Sequence, residues 1–193
     1  MGLELEAKFA VPSLDPLRRT LRSMGAEPLG RRFERNAVFD TPAREMLARG
    51  ELLRLRQTDK AKLTFKRPSG RPAPAGVKAM DEVETVVADF EAMRRVLAGL
   101  GYQEALWYEK FREQWRLPHA VVCLDDLPFG CFVEIEGEPE AIAEVAGRLG
   151  LDMARAKADT YHTLFRQHLL AHGLPPQDSF TFSAEDKARL QSV

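Results

Sequence analysis

The sequence predicts an α+β fold in which an eight-stranded antiparallel β-barrel closes on itself and helices pack on its outside. Three observations predict this fold class. Eight short segments have the composition of strands, and the helical segments are concentrated after them. Most strands carry apolar residues on one face and like charges at i, i+2 on the other, as in Val133-Glu-Ile-Glu136. A closed sheet with a charged interior lets neighbouring strands supply the counter-charges.

The first half of the chain alternates strands with short helices. A strand over 3–9 precedes an amphipathic helix that Ser13 is predicted to cap and that Gly25 ends. A strand over 32–40 turns at Thr41-Pro42 into a short helix over 44–48. Strands over 52–57 and 63–66 then form a hairpin.

A segment rich in proline and glycine, 68–76, is predicted to be a long mobile loop that covers one mouth of the barrel. A strand over 82–87 follows, and Asp89 is predicted to cap a helix that ends at Gly101. The remaining strands are predicted at 107–117, 120–124 and 131–136, and helices at 139–149 and 158–172.

The chain is predicted to form one domain over 1–172 with a polar C-terminal tail over 173–193. The composition turns polar after Pro175-Pro176. Ser183 is predicted to cap a short terminal helix that packs loosely or not at all.

Composition excludes several classes of partner. The 28 basic and 29 acidic residues nearly cancel, so nothing indicates bulk attraction to nucleic acid or to an anionic membrane. The chain has no apolar run of membrane-spanning length and no basic-then-apolar leader before Leu3. We therefore expect a cytoplasmic protein, as monomer or homodimer. Cys123 and Cys131 are expected to be buried thiols rather than a disulfide.

Acidic residues recur at i, i+2 on the predicted strands. Such carboxylates lie about 7 Å apart along a strand, so two pairs on facing strands are able to surround a cation. Oxygen ligands without nearby histidine favour Mg²⁺ or Mn²⁺. The best ligand candidates are Glu4, Glu6, Glu134 and Glu136, with Glu82, Glu84 and Asp125 as further members. A single pair would more often be a solvated sheet face, but the repetition reverses that preference.

Basic residues also fall on the faces that are predicted to point inward. They are Lys8, Arg35, Arg54, Arg56, Lys66, Lys110 and Arg112. Guanidinium forks match phosphate oxygens, so this set suits a ligand of several negative charges, such as a triphosphate. The alternative is a network of internal ion pairs, whose desolvation would cost more than the pairs return. Lys157 is predicted at the start of the last main helix, where Tyr161 reads as a core aromatic residue.

The motif Glu4-x-Glu6-x-Lys8 resembles the signature that opens the CYTH superfamily, also called the triphosphate tunnel metalloenzymes. The resemblance continues in order over about 3–170. The further matching motifs are Arg35 with Phe39-Asp40-Thr41-Pro42, Leu53-Arg-Leu-Arg56, Leu63-Thr-Phe-Lys66, Glu82-x-Glu84, Lys110-x-Arg112, Asp125 before Phe129-Gly130, Val133-Glu-Ile-Glu136 and Lys157-x-x-x-Tyr161. Asn36-Ala37-Val38 departs from relatives that often have an acidic residue and a tyrosine there.

The resemblance implies a tunnel that binds triphosphate with basic side chains and Mg²⁺ or Mn²⁺ with acidic ones. It assigns metal ligation to Glu4, Glu6, Glu134 and Glu136. It assigns substrate binding to Lys8, Arg35, Arg54, Arg56, Lys66, Lys110, Arg112 and Lys157. The residues expected to take part in catalysis are Glu4, Glu6, Lys8, Glu82, Glu84 and Asp125.

Two reactions occur in this superfamily, and both use the same apparatus. No motif reads as an adenine pocket, so hydrolysis of a small triphosphate, inorganic or thiamine triphosphate, is favoured over cyclisation of ATP by a class IV adenylate cyclase. A module that binds polyphosphate or a nucleotide without turnover is the third alternative. The retained acidic positions count against it, because anion binding alone needs no carboxylates.

Overall fold

A closed antiparallel barrel forms the centre of the protein in a computed structural model, which describes residues 2–191. Eight strands surround the lumen in the order β1-β5-β4-β3-β2-β6-β7-β8. Their bounds are β1 Gly2–Val11, β2 Glu27–Asp40, β3 Leu52–Gln57, β4 Ala61–Pro68, β5 Val77–Val87, β6 Gln103–Leu117, β7 Ala120–Leu127 and β8 Gly130–Gly137. The predicted fold class is confirmed.

Helices lie outside the barrel, as predicted. They are α1 Asp15–Ser23, α2 Glu45–Ala48, α3 Phe90–Gly99, α4 Pro139–Arg148, α5 Tyr161–Ala171 and α6 Ala184–Gln191, with a 3-10 turn at Met153–Arg155. Among residues 2–191, no helix has the length and apolar character needed to cross a membrane.

The barrel closes because β1 pairs with both β5 and β8. Glu4 lies opposite Met80 on one side, and Lys8 lies opposite Glu134 on the other. The two ends of the barrel are defined by strand ends. At the Asp40 end, β2 finishes at Asp40 and β3 and β6 begin. At the Leu117 end, β6 finishes at Leu117 and β7 begins.

Most of the hydrophobic core lies outside the barrel, between the outward strand faces and the helices. Leu17 and Leu21 of α1 and Ile142 of α4 pack with outward residues of the neighbouring strands. A further cluster forms under α2 and α3. The cluster under α5 differs, because its members Leu106, Tyr108 and Phe180 line the lumen. Because alternate residues of a strand face opposite sides, the packing leaves the inward side chains free to be charged.

Several strands begin earlier than the sequence predicted. β2 starts at Glu27 and β5 at Val77, so the predicted loop shrinks to 69–76, and none of these eight residues lines the lumen. Gly76 has φ +80°, and a Cβ there would lie 2.7 Å from the Cβ of Ala156. Glycine is therefore required at the start of β5 for both its conformation and the close approach.

Two predicted helix starts are wrong by a few residues. Leu14 occupies the N-cap of α1, and Ser13 makes only a long contact to the N–H of Asp15 at 3.4 Å. Thr160 caps α5, which begins at Tyr161, so the preceding residues are not helical. The caps predicted at Asp89 and Ser183 are confirmed by their hydrogen bonds to the N–H groups of Ala92 and Asp186.

The C-terminal segment, 173–191, packs against the barrel. The prediction that its terminal helix packs loosely or not at all is wrong, because Leu190 of α6 is buried. Phe180 is 3% exposed, and its backbone pairs with β6 through the C=O of Trp107 and the N–H of Glu109. The C=O of Leu190 in α6 accepts a hydrogen bond from Arg31 at 2.5 Å. The apolar side chains Phe180 and Leu190 anchor this otherwise polar segment.

Both cysteines are free. Cys123 is buried beside lumen carboxylates, whereas Cys131 is half-buried and packs with the core outside the barrel. The two side chains point to opposite faces of the sheet, which explains why the adjacent strands β7 and β8 do not join them.

Candidate active site

Residues of every strand except β7 line a lumen with a cavity of about 340 Å³. Most residues predicted for the site meet there. They are Glu4, Glu6, Lys8, Arg54, Arg56, Lys66, Glu82, Glu84, Lys110, Arg112, Glu134 and Glu136. The lumen also contains residues that the sequence analysis did not predict, and some of the predicted residues lie outside it.

Three carboxylates gather on one wall. Oxygen atoms of Glu4, Glu6 and Glu136 lie within 4.8 Å of one another. Burial raises the pKa of Glu136 to about 7; Arg112 opposes this shift, and Glu134, Glu4 and Glu6 add to it. Burial also raises the pKa of Glu4, against the opposing charge of Lys66. Negative charge on this wall is therefore incompletely compensated by the protein.

This acidic wall fits a divalent cation. Its donors are carboxylate oxygens, which hard ions such as Mg²⁺ and Mn²⁺ prefer. A bound cation would relieve the repulsion that raises the pKa values of Glu4 and Glu136. Glu4, Glu6 and Glu136 are thus the residues able to hold a metal ion.

Glu134, the fourth predicted metal ligand, is engaged by cations of the protein. Its carboxylate lies 2.9 Å from Nζ of Lys8 and also pairs closely with Arg112. Although burial opposes it, Arg112, Lys8 and Lys110 hold the pKa of Glu134 well below its usual range. Glu134 lies close to Glu136 and to the thiol of Cys123, so it borders the acidic wall while serving mainly to orient basic side chains.

The opposite wall presents guanidinium groups. Arg54 donates to the hydroxyl of Tyr108 at 3.2 Å and to that of Thr64 at 3.3 Å. Within residues 2–191, Nε of Arg54 and Nε of Arg56 are buried and have no hydrogen-bond acceptor. Both arginine side chains also line the cavity, where guanidinium groups are suited to an anionic ligand. Lys66 bridges the walls through Glu4 and Glu82.

Glu34, which the sequence analysis missed, lies beneath the basic wall. It is 1% exposed and contacts Arg56 at 3.3 Å and Lys110 at 3.8 Å. Burial would raise the pKa of Glu34, but Lys110, Arg56 and other cations lower it to about 2. Glu34 therefore stays ionised and fixes the basic side chains.

Asp125 is buried behind the lumen rather than exposed in it. It accepts hydrogen bonds from Lys110 at 3.0 Å, Arg112 at 2.7 Å and the hydroxyl of Tyr161 at 2.7 Å. The ammonium groups of Lys8 and Lys110 lie 4.7 Å and 5.1 Å from the ring centre of Tyr161. Asp125 and Tyr161 thus position the basic side chains around them. Tyr161 was predicted only to pack in the core, so its role is larger than predicted.

Two predicted substrate contacts lie elsewhere. Arg35 points outward, with its guanidinium 4.3 Å from the ring centre of Trp107, because Glu34 and Asn36 take the inward positions of β2. Lys157 does not line the lumen and is not helical. Its N–H instead donates to the C=O of Lys8 at 2.8 Å, which holds the segment before α5 against β1.

The alternation of inward and outward residues along a strand identifies most of the lumen residues that the sequence analysis did not predict. Lys62 precedes Thr64 and Lys66 on the inward face of β4, and Lys78 precedes Glu82 on β5. They were missed because the predicted strands began too late. Burial lowers the pKa of Lys78, with partial compensation from Glu6.

The Asp40 end of the lumen holds most of its apolar side chains, beside polar ones such as Arg44 and His162. The apolar side chains that line it there are Val38, Leu47, Leu52, Leu106 and Phe180. They come from the end of β2, the start of β3 and β6, α2 and the C-terminal segment. Charged residues dominate the remainder, so the lumen changes from apolar to polar along its axis.

A polar cluster borders the apolar residues at the Asp40 end. Asp178 accepts from Arg44 at 2.8 Å and contacts His162 at 3.2 Å. Arg44 has φ +56°, an uncommon conformation for a residue with a side chain, and precedes α2. Asp178 therefore connects α2, α5 and the C-terminal segment around this opening.

A closed barrel with facing acidic and basic walls defines a class of protein that binds polyanions together with cations. The chain belongs to the CYTH family: the model of the CYTH domain matches residues 2–151. Proteins of this family are adenylate cyclases or triphosphatases, and they generally depend on divalent metal ions.

Proteins that are similar to this chain occur in several organisms. A protein of Methanocaldococcus jannaschii, provisionally named an adenylate cyclase, is 26% identical over 136 residues, which are 69% of this chain and 76% of that protein. A structure from Vibrio parahaemolyticus with the same provisional name has a TM-score of 0.74 at 20% identity, covering 84% of this chain and 97% of that one. A Hippeastrum protein, provisionally named an adenylyl cyclase but described with a dominant triphosphatase activity, has a TM-score of 0.62 at 20% identity, covering 91% and 98%.

Proposed function

We propose that the protein hydrolyses a small triphosphate, inorganic triphosphate or thiamine triphosphate, in a reaction that depends on Mg²⁺ or Mn²⁺. One observation carries the proposal: the guanidinium side chains of Arg54 and Arg56 line the same lumen as the carboxylate wall of Glu4, Glu6 and Glu136. A triphosphate is an anion of the right charge to bridge these walls with a cation.

The basic side chains bind and orient the triphosphate. Arg54 and Arg56 would donate to its oxygens from one wall, and Lys66 and Lys110 would contribute point charges. Glu34 and Asp125 are already paired with Arg56 and Arg112 and so hold the cations in place before the ligand arrives. Such preorganised charge stabilises a transition state at little reorganisation cost.

The acidic wall determines which phosphorus is attacked. A divalent ion held by Glu4, Glu6 and Glu136 would supply charge neutralisation for the phosphate oxygens. Glu136 lies opposite Val121, next to the start of β7, so the acidic wall lies toward the Leu117 end and away from the apolar opening. An organic group at the Asp40 end would leave the terminal phosphorus nearest the acids. Water then forms a bond to that phosphorus and gives up a proton, and the bridging P–O bond breaks. The diphosphate portion of the substrate is the leaving group, and the terminal phosphoryl group becomes orthophosphate.

The alternative is cyclisation of ATP with release of pyrophosphate. The apolar opening favours an organic substituent, and the Methanocaldococcus jannaschii relative carries a cyclase name. Cyclisation attacks the phosphorus next to the ribose, which would lie nearer the apolar end than the acidic wall. The Hippeastrum structure, described with a dominant triphosphatase activity, shares the fold. Hydrolysis is therefore the better-supported reaction.

Product analysis tests the proposal. Purified protein with Mg²⁺ or Mn²⁺ is given inorganic triphosphate, thiamine triphosphate and ATP in parallel, and products are followed by ³¹P NMR and chromatography. We expect orthophosphate from at least one of the three. Cyclic AMP with pyrophosphate from ATP, and no orthophosphate, would identify a cyclase instead. Binding without any product would identify a polyphosphate-binding module.

A further inference from the structure

We infer that the hydroxyl group of Tyr108 contacts the substrate directly. It donates a hydrogen bond to a phosphate oxygen beside Arg54 and so holds the diphosphate portion that leaves during hydrolysis. The inference rests on the proposed function for its reaction. The motifs of the sequence did not indicate Tyr108 as a site residue, but the fold places it in the lumen.

Tyr108 lies where the apolar and the charged parts of the lumen meet. Its ring belongs to the cluster under α5 and stacks on the ring of Phe180, with 5.2 Å between the ring centres and 29° between the planes. At the other end of the side chain, the hydroxyl oxygen accepts a hydrogen bond from Arg54 at 3.2 Å. Ring packing on one side and Arg54 on the other therefore fix the position of the hydroxyl group.

The hydroxyl group of Tyr108 still has a proton to donate. A tyrosine hydroxyl both donates and accepts, but among residues 2–191 no group accepts a hydrogen bond from this one. Thr64, the other hydroxyl that accepts from Arg54, differs because it already donates to Glu84 at 2.9 Å. A phosphate oxygen beside Arg54 would be the acceptor that the Tyr108 hydroxyl lacks.

Neighbouring cations make this hydroxyl group a stronger donor. Burial would raise the pKa of Tyr108, but Arg54, Lys110 and Arg56 lower it below its ordinary value of 10.0. The same cations attract phosphate and bring its oxygens toward the hydroxyl group. A hydrogen bond to an ionised oxygen is stronger than one between neutral groups. Tyr108 therefore adds an uncharged donor to the basic wall.

The place of Tyr108 along the lumen assigns it to the diphosphate portion of the ligand. The inward residues of β6, from the Asp40 end to the Leu117 end, are Leu106, Tyr108, Lys110, Arg112 and Gln114. Tyr108 thus lies on the Asp40 side of the charged residues, whereas the terminal phosphorus is proposed to lie near the acidic wall.

The hydrogen bond from Tyr108 would stabilise the leaving group. Water forms a bond to the terminal phosphorus and releases a proton, and the electron pair of the broken P–O bond stays on the diphosphate. Tyr108 keeps its own proton throughout. A donor that is already in position when negative charge develops on the diphosphate lowers the barrier at little reorganisation cost.

The test removes the hydroxyl group and keeps the ring. Calorimetry with Mg²⁺ measures the binding of pyrophosphate and of non-hydrolysable imidotriphosphate to the wild type, Tyr108→Phe, Thr64→Val and Tyr102→Phe. Thr64→Val is the matched comparison, because Arg54 loses one acceptor in it, as in Tyr108→Phe. Tyr102 does not line the lumen and packs with the cluster under α2 and α3.

We expect Tyr108→Phe to weaken the binding of both ligands about tenfold or more, because a hydrogen bond to an ionised oxygen is lost. Thr64→Val should weaken binding less than about threefold, and Tyr102→Phe should leave it unchanged. Equal weakening in Tyr108→Phe and Thr64→Val would show that the Tyr108 hydroxyl only positions Arg54. That result, or unchanged binding in Tyr108→Phe, would overturn the inference.

Inhibition by the two products tests which phosphates Tyr108 contacts. In Tyr108→Phe, inhibition of triphosphate hydrolysis by pyrophosphate should weaken about tenfold, while inhibition by orthophosphate should change less than about twofold. Equal weakening of both would refute the assignment to the diphosphate portion. Weaker pyrophosphate binding in Tyr108→Phe without any hydrolysis by the wild type would refute only the proposed function. Normal hydrolysis with unchanged binding in Tyr108→Phe would refute only the contact.

Discussion

The direction in which a single side chain points decides its role in this barrel. Arg35 and Arg54 were both predicted to bind phosphate, yet Arg54 lines the lumen and Arg35 packs outside on Trp107. The two are chemically identical and occupy neighbouring strands. They therefore provide a matched pair in which position is the main difference.

Arg54→Ala should raise KM for the triphosphate substrate about tenfold or more, because a buried charge-assisted contact to phosphate is lost. Arg35→Ala should change KM less than about twofold. Steady-state kinetics on both variants, with circular dichroism to confirm folding, makes the measurement. A similar effect of the two substitutions would show that Arg54 does not contact the substrate.

Glu136→Gln should raise the Mg²⁺ or Mn²⁺ concentration needed for half-maximal activity about tenfold or more, because one oxygen donor loses its charge. The control is Glu138→Gln, since Glu138 is exposed at the start of α4 and its side chain makes no capping hydrogen bond. Metal titrations of activity compare the two. An unchanged metal requirement in Glu136→Gln would remove this residue from the metal site.

Glu34 gives a pH-dependent contribution to stability. Burial would raise the pKa of Glu34, but Lys110, Arg56 and other cations lower it from its ordinary value of 4.5 to about 2 in the folded state. Its stabilisation is therefore complete above pH 4.5 and is lost as the pH falls toward 2. The difference in unfolding free energy between the wild type and Glu34→Gln should shrink by about 2 kcal/mol from pH 5 to pH 3. Urea unfolding at each pH measures it. The exposed Glu140 serves as control in Glu140→Gln, and an equal pH dependence of both differences would contradict the role of Glu34.

Among the elements, the C-terminal segment departs most from what the sequence indicated. The segment is mostly polar, but two of its apolar residues, Phe180 and Leu190, pack on the barrel. Two isolated apolar residues produce no periodic pattern, so sequence reasoning had no signal for this contact. The start of β5 was missed for another reason: the segment 68–76, rich in proline and glycine, indicated a loop, while pairing with β4 and β1 extends the strand to Val77.

Phe180→Ala should destabilise the protein by ~3 kcal/mol or more, because a buried ring is removed between α5 and β6. Phe182→Ala should cost less, since Phe182 is only half-buried. Urea unfolding compares both variants with the wild type. If Phe180→Ala costs less than Phe182→Ala, the segment does not pack on the barrel in solution.

At the scale of the whole molecule, the barrel, its charged lumen and its outer core could be predicted, because all three follow from the alternation of apolar and charged residues along the strands. Leu53, Leu55, Val133 and Ile135 are buried outside as expected, while the charged residues between them point inward. Which carboxylates form the acidic wall and which pair with basic side chains could not be predicted. Whether Glu134 joins the acids or pairs with Lys8 depends on strand register, and register is a property of the closed sheet.

Ligand binding should stabilise the whole barrel. Repulsion within the acidic wall and unpaired guanidinium donors both weaken the ligand-free state. A non-hydrolysable triphosphate with Mg²⁺ at about 100 times its Kd should add ~2.7 kcal/mol to the unfolding free energy. Thermal unfolding with each component alone provides the control. If neither the pair nor the single components shift the transition, the lumen does not bind them.

Closure by pairing of the first strand with the last has a consequence for synthesis on the ribosome. β1 cannot complete its pairing until β8 has been made, and the partners Glu6 and Glu136 are 130 positions apart in the sequence. During translation the early strands have one unpaired edge, and nascent chains with unpaired strand edges tend to aggregate. The lysines, arginines and glutamates that line the finished lumen keep these unpaired strands charged. The charged lumen residues would thus also protect the unfinished chain from aggregation.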